Sequence, residues 1–62
     1  MIRTASDLFV GAYIRENDRT LLVDYIDVDE DGILVEGYEV DSGDEFNRMY
    51  DADDEINIVQ GE

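Results

Sequence analysis

Three aspartates at alternate positions, Asp27, Asp29 and Asp31, form the pattern in this sequence that most clearly could bind a ligand. Gly32 follows them directly, and glycine lets a chain reverse because it adopts positive φ easily. Alternate carboxylates on a reversing chain can converge on one hard cation, and Ca²⁺ takes oxygen ligands of this kind. Asp27, Asp29 and Asp31 are therefore candidate Ca²⁺ ligands.

The same segment matches the first part of an EF-hand loop, with alternate acids, then Gly32, then an aliphatic Leu34 two residues later. The match fails at the last ligand position, where Tyr38 stands in place of the bidentate glutamate. The flanking residues also have the β-branched character of strands rather than helices. A hairpin turn with Gly32 at positive φ is the favoured interpretation, and weak Ca²⁺ binding is the alternative.

Residue types that perform covalent and acid–base catalysis are scarce. The chain has no His, Cys or Lys, which supply most general bases and covalent nucleophiles. Ser6 and Ser42 have no such base to activate them, and no Gly-rich phosphate-binding loop is present. Among 18 carboxylates, no pair is distinguished by its spacing. The sequence predicts a protein that is not an enzyme and takes no cofactor.

The net charge of −14 is unevenly distributed. Residues 1–23 hold three acids and three arginines, whereas residues 24–62 hold fifteen acids against Arg48 alone. Two hypotheses explain such a charge. The acidic surface is an adaptation to high salt, or it is a working surface that mimics nucleic acid and inhibits a DNA- or RNA-binding protein. The complete absence of Lys favours the first, because a mimic has no reason to replace every Lys by Arg.

Direct nucleic-acid binding is disfavoured, because phosphate contacts need Lys or Arg. Arg3, Arg15 and Arg19 could form a small anion-facing patch in the neutral part of the chain. The favoured alternative is a cross-strand ion pair between Glu16 and Arg19, which flank the Asn17-Asp18 turn.

The length of 62 residues predicts one domain, residues 1–62, whose core is small. Without Cys and His, neither disulfides nor zinc sites of the usual kind can support it. No apolar run approaches the ~18 residues of a membrane span. The first residues also lack the apolar segment of a secretory signal. We therefore expect a cytoplasmic protein without a membrane partner.

Turn signals recur along the chain, and β-branched or aromatic runs separate them, which is typical of a small antiparallel β-protein. The predicted turns are Asn17-Asp18, Glu30-Asp31-Gly32, Ser42-Gly43 and Asp51-Ala52-Asp53-Asp54. The predicted strands are Leu8–Arg15, Arg19–Val28, Ile33–Val40, Glu45–Tyr50 and Glu55–Val59. A bulge at Gly37 would restore Tyr38 and Val40 to the face of Val35. The segment before the last strand is expected to form one turn of 3₁₀ helix or a tight loop.

Five short strands with a helical turn before the last resemble the small SH3-like barrels. The resemblance is one of topology, and it implies a five-stranded antiparallel meander or SH3-like barrel without implying a function. Composition is similar to that of haloarchaeal proteins, because Asp exceeds Glu by 11 to 7, Arg replaces Lys and Cys is absent. This second resemblance implies a cytoplasm of molar salt.

The sequence as a whole predicts a non-catalytic binding or structural module of unknown partner that forms homo-oligomers and can also bind another protein. The predicted core consists of Val10, Ile14, Leu21, Val23, Tyr25, Ile33, Val35, Tyr38, Val40, Phe46, Ile56 and Ile58. The first two runs carry apolar residues on both faces, more than one small core can cover. Phe9, Tyr13 and Leu22 lie opposite the core positions and are the predicted interface.

Overall fold

The computed structural model describes residues 2–59 as an all-β fold with antiparallel strand pairing. The strands are β1 (Ile2–Thr4), β2 (Tyr13–Glu16), β3 (Arg19–Asp29), β4 (Gly32–Glu39), β5 (Glu45–Tyr50) and β6 (Glu55–Val59). They form one sheet in the order β1-β6-β2-β3-β4-β5. The all-β class is confirmed. The five-stranded barrel is wrong, because six strands form a sheet that begins at β1 and ends at β5 without closing.

The first predicted strand, Leu8–Arg15, is the least accurate of the five. Only Tyr13–Glu16 is a strand, and the preceding residues form a loop with Gly11 at φ +98°. A 3₁₀ turn at Ala5–Asp7 and the short β1 come before that loop. Residues 51–54, which were expected to form one turn of 3₁₀ helix or a tight loop, form the tight loop, in which Asp54 N donates to Asp51 O. No helix within residues 2–59 has the length and apolarity needed to cross a membrane.

The tight hairpin turns follow the local residue types. Asn17 and Asp18 have φ of 49° and 67°, and two successive residues at positive φ form the turn that matches the twist of a hairpin. Gly32 is at φ +144°, as the turn interpretation of this segment predicted. Turn residues that tolerate positive φ therefore determine where β2 meets β3 and where β3 meets β4.

The predicted bulge is present, but on the other strand. Val23 pairs with Gly37 and Tyr25 pairs with Glu36, so Asp24 of β3 is the extra residue. Alternation along β4 therefore continues through Gly37, which turns Tyr38 to the face opposite Val35. A β-carbon on Gly37 would overlap the Leu22 carbonyl oxygen and approach Phe46 Cε1 to 2.9 Å.

The core lies on one face of the curled sheet and is wholly aliphatic. Seven predicted core residues are buried, and Phe46 packs against them. Four predicted core residues are exposed instead, namely Val10, Tyr25, Tyr38 and Val40. Val10 lies in the loop before β2, and the position of the bulge on β3 turns the other three to the outer face. The buried residues are Ala5, Ala12, Ile14, Leu21, Val23, Ile33, Val35, Ile56 and Ile58.

Gly37→Ala should destabilise the fold by at least about 3 kcal/mol, because the added methyl group collides with the backbone of β3. That loss is comparable to the ~3–9 kcal/mol expected for a chain of this length. Denaturation monitored by circular dichroism measures the change. Gly43→Asn is the control, since Gly43 is at φ +79° with nothing within 4 Å of its would-be β-carbon. Equal stability of the two variants would contradict the close approach at Gly37.

Candidate functional site

An apolar row crosses the face of the sheet opposite the core. Tyr13 pairs with Leu22 on β3 and with Val59 on β6, and Leu22 pairs with Tyr38 on β4. Paired residues present their side chains on the same face, so Val59, Tyr13, Leu22 and Tyr38 lie side by side on four adjacent strands. We call these four residues the outer row. Tyr38 and Val59 are 38% and 40% exposed.

Two of the three predicted interface residues, Tyr13 and Leu22, are the centre of the outer row. Phe9 is 51% exposed in the loop before β2 and has no register partner in the row. The sequence prediction missed Tyr38, which was assigned to the core, and Val59. The alternation Ile33, Val35, Gly37 along β4 would have placed Tyr38 outside if the bulge had been assigned to β3.

An acidic groove of about 480 Å³ adjoins the Tyr38 end of the outer row. It contains three carboxylates, from one residue each on β3, β4 and β5, and no cationic side chain. The groove lies beside the bulge, and Asp24, the extra residue on β3, is part of its lining. Its lining residues are Asp24, Glu36, Gly37, Tyr38, Glu45, Phe46 and Asn47.

The candidate Ca²⁺ ligands are not brought together. Asp27 pairs with Leu34 and Asp29 pairs with Gly32 within the β3–β4 hairpin, while Asp31 lies in the turn. The carboxylate of Asp29 accepts a hydrogen bond of 2.8 Å from the Asp31 backbone N–H, which stabilises the turn itself. Across residues 2–59 no group of three acidic side chains is placed to hold a metal ion. The segment is therefore a hairpin turn in this structure.

An ion pair joins two strands that are not neighbours in the sheet. Arg48 of β5 donates from both terminal nitrogens to the two carboxylate oxygens of Glu16 of β2, at 2.7 and 2.8 Å. Arg48 pairs with the buried Val35 and Glu16 follows the buried Ile14 by two residues, so both side chains lie on the core face. We call this pair the clasp.

The predicted ion pair between Glu16 and Arg19 was wrong, because each of these residues contacts another partner. Glu16 and Arg19 are register neighbours, but the nearest carboxylate oxygen to Arg19 belongs to Glu39, at 4.0 Å. Arg15 donates to the hydroxyl of Thr20 at 3.3 Å. The curl of the sheet brings Arg48 to Glu16, and the guanidinium forms two parallel hydrogen bonds with the carboxylate. The two residues are 32 positions apart in the sequence, so no local pattern predicts this pair.

Charge and burial perturb the acid–base properties of the groups around the clasp. The hydrogen bonds from Arg48 lower the pKa of Glu16 below its ordinary value of 4.5, although partial burial opposes this. Glu16 in turn raises the pKa of Arg48. Burial raises the pKa of Tyr50, which also lies on this face. The clasp is consequently a charged pair throughout the neutral range.

The clasp should contribute about 1 kcal/mol of coupling energy in a double-mutant cycle of Glu16→Gln and Arg48→Met. Because the pKa of Glu16 is lower in the folded state, its contribution is present above pH 4.5 and is lost as pH falls through the folded pKa. The stability difference between wild type and Glu16→Gln should therefore shrink in acid. Glu39→Gln is the control, since its ion contact is long. A coupling energy near zero would show that the clasp does not hold the sheet in its curl.

Comparison of the chain with protein family models, with curated proteins and with solved structures finds no match. No inherited motif therefore assigns a function to any residue. The described residues offer three distinct features, namely the outer row, the acidic groove and the clasp.

Proposed function

We propose that this protein is a non-catalytic binding module that self-associates through the outer row and carries an acidic surface adapted to high salt. The observation that carries the proposal is the outer row itself. It places four apolar side chains on the solvent side of adjacent strands. Contiguous apolar surface of this kind commonly marks an interface.

Charge favours a second copy at this face. Two molecules of net charge −14 repel one another wherever their acidic parts meet. The centre of the row, Tyr13 and Leu22, belongs to the N-terminal segment without net charge, and Arg15 stands two residues from Tyr13 on the same face. Two copies can therefore meet at this centre with less repulsion than at their acidic parts, and a two-fold dimer is the commonest closed arrangement.

The acidic surface has the distribution expected of a solvated shell. Of the fourteen acidic residues between positions 24 and 59, all except Glu39 are exposed. At molar salt the Debye length is about 3 Å, so only the nearest charges still repel one another. The replacement of Lys by Arg and the excess of Asp over Glu support a solvent adaptation over nucleic-acid mimicry, which remains the alternative.

The free energy of unfolding should rise steeply between about 0.05 M and about 3 M KCl, because salt screens the repulsion among the exposed carboxylates. Chemical denaturation followed by circular dichroism at each salt concentration is the measurement. Sucrose solutions serve as a control for general solvent exclusion. A domain that is fully folded and insensitive to salt at the low end would contradict the adaptation and favour the mimic.

The chain should form a dimer in about 2 M KCl, where charge repulsion is screened, with twice the 7.1 kDa mass of the monomer. Tyr13→Asp should raise the dimer dissociation constant at least about tenfold, since it places a carboxylate at the centre of the row. Tyr25→Asp is the matched control, because Tyr25 is on the same face but outside the row and 48% exposed. Light scattering over a range of protein concentrations decides, and a monomer at every concentration would exclude self-association.

A further inference from the structure

Strand β5 is one of the two edges of the sheet, and it is the longer one. It has six residues against three in β1, and its register with β4 runs from Ile33↔Tyr50 to Tyr38↔Glu45 without a shift. Sheet edges are protected by Pro, by a bulge or by charged side chains, especially Lys. Strand β5 has no Pro, Lys or bulge, and its two charges are Glu45 at one end and Arg48, which Glu16 binds on the core face.

The hydrogen-bond pattern shows which backbone groups of β5 face outward. Val40 N donates to Thr20 O on β3 at 2.9 Å, and Glu39 N donates to Asp44 O beside β5 at 2.7 Å. Groups along a strand point alternately to its two neighbours, so Tyr38 bonds toward β3 and its partner Glu45 faces the open edge. By the same alternation, the N–H and C=O groups of Glu45, Asn47 and Met49 point away from β4.

The side chains of these three residues are also exposed, in contrast to the intermediate residues of β5. A strand added to the edge would place alternate side chains about 5 Å from Glu45, Asn47 and Met49 on the outer face. Glu45 and Asn47 line the acidic groove, whereas Met49 is an apolar residue that is 58% exposed. The edge therefore presents acidic, polar and apolar positions in turn.

Charge argues against a second copy at this edge. Antiparallel pairing of two β5 strands would bring Asp44 of each copy toward Asp51 of the other, with Asp53 and Asp54 close behind. Like charges that face each other across strands are destabilising. A segment that carries Arg or Lys side chains is instead attracted by these carboxylates.

We propose that β5 binds an extended segment of a basic partner protein, which adds to the sheet as a further strand. The segment carries Arg or Lys opposite Glu45, so that the cation enters the acidic groove over Tyr38, and an apolar residue opposite Met49. Backbone hydrogen bonds supply affinity in this mode of recognition, and the alternate side chains supply specificity. The inference rests on the proposed function only in taking the protein to be a binding module, and it names the class of partner.

The test uses a short Thr-rich peptide with an isoleucine and an arginine placed to face Met49 and Glu45 in an antiparallel strand. Titration is followed by amide chemical shifts and hydrogen exchange in the wild-type protein. We expect saturable shifts at Glu45, Asn47 and Met49, together with slower exchange of their amides. A peptide with glutamate in place of arginine should bind at least about tenfold more weakly.

Asn47→Pro is the decisive variant, because it removes an outward N–H that no strand of the sheet uses, and edge strands tolerate Pro there. It should weaken peptide binding at least about tenfold. Asn47→Thr, which keeps the N–H, should bind as the wild type does. Glu45→Gln provides a second test that leaves the backbone intact, since it should reduce the preference for arginine over glutamate. Equal binding by Asn47→Pro and Asn47→Thr would overturn the proposal.

The same titration in Tyr13→Asp separates this inference from self-association. Peptide binding by a monomeric Tyr13→Asp, with shifts confined to β5, supports the edge site whatever the state of the outer row. Peptide shifts centred on Tyr13 and Leu22 would overturn the edge site and assign the partner to the outer row. Loss of the dimer in Asn47→Pro would overturn it as well, because β5 would then be the contact between copies.

Discussion

The close approach of β3 and β4 at Gly37 is the constraint on which the rest of this structure depends. No side chain fits between the Leu22 carbonyl and Phe46, and Asp24 is left as an extra residue on the opposite strand. The bulge changes the side-chain parity along β3, so Leu21 and Val23 face the core before it and Ile26 packs against the core after it. A bulge also increases local twist. The resulting curl carries β5 across the core toward β2, where Arg48 reaches Glu16.

The same constraint produces the surfaces to which a function can be assigned. Because β4 alternates without interruption through Gly37, Tyr38 joins Leu22 and Tyr13 on the outer face rather than entering the core. Asp24, the extra residue of the bulge, lines the acidic groove beside Tyr38 together with Glu36 and Glu45. The apolar outer row on the sheet face and the acidic groove beside the β5 edge are thus separate surfaces, and Tyr38 belongs to both.

A high-salt solvent would restrict which interactions can operate at these surfaces. With a Debye length of about 3 Å, long-range attraction between an acidic protein and a basic partner is largely screened. Apolar burial and direct hydrogen bonds act at contact distance, and salts that are excluded from protein surfaces strengthen apolar burial. The two proposed contacts, a second copy at the outer row and an extended segment at the β5 edge, both rely on interactions of this short range. Arg48 is held by Glu16 and so adds no free cation beside the groove.

Local patterns in the sequence determined much of the fold. Alternation and turn residues predicted β5 and β6 at their observed bounds, the hairpin turns at Asn17-Asp18 and at Gly32, and most of the aliphatic core. These features depend on residues that are close together in the sequence. The alternation of side chains and the tolerance of positive φ can both be inferred from residue type. The Tyr13–Leu22 contact was also predictable, since both residues lie opposite core positions next to a two-residue turn.

Only the tertiary structure decided which strand carries the bulge, which strands form the edges and which acid Arg48 binds. Either the strand with the glycine or its partner strand can carry a bulge, and the register of the folded sheet, which leaves Asp24 as the extra residue, assigns it to β3. The short β1 has too few residues to show a pattern, and it pairs with β6 at one end of the open sheet. Glu16 and Arg48 are distant in the chain, so their pairing requires the curl that the bulge produces. Outward backbone groups on β5 have no signature in residue type, because every residue but proline carries the same donor and acceptor.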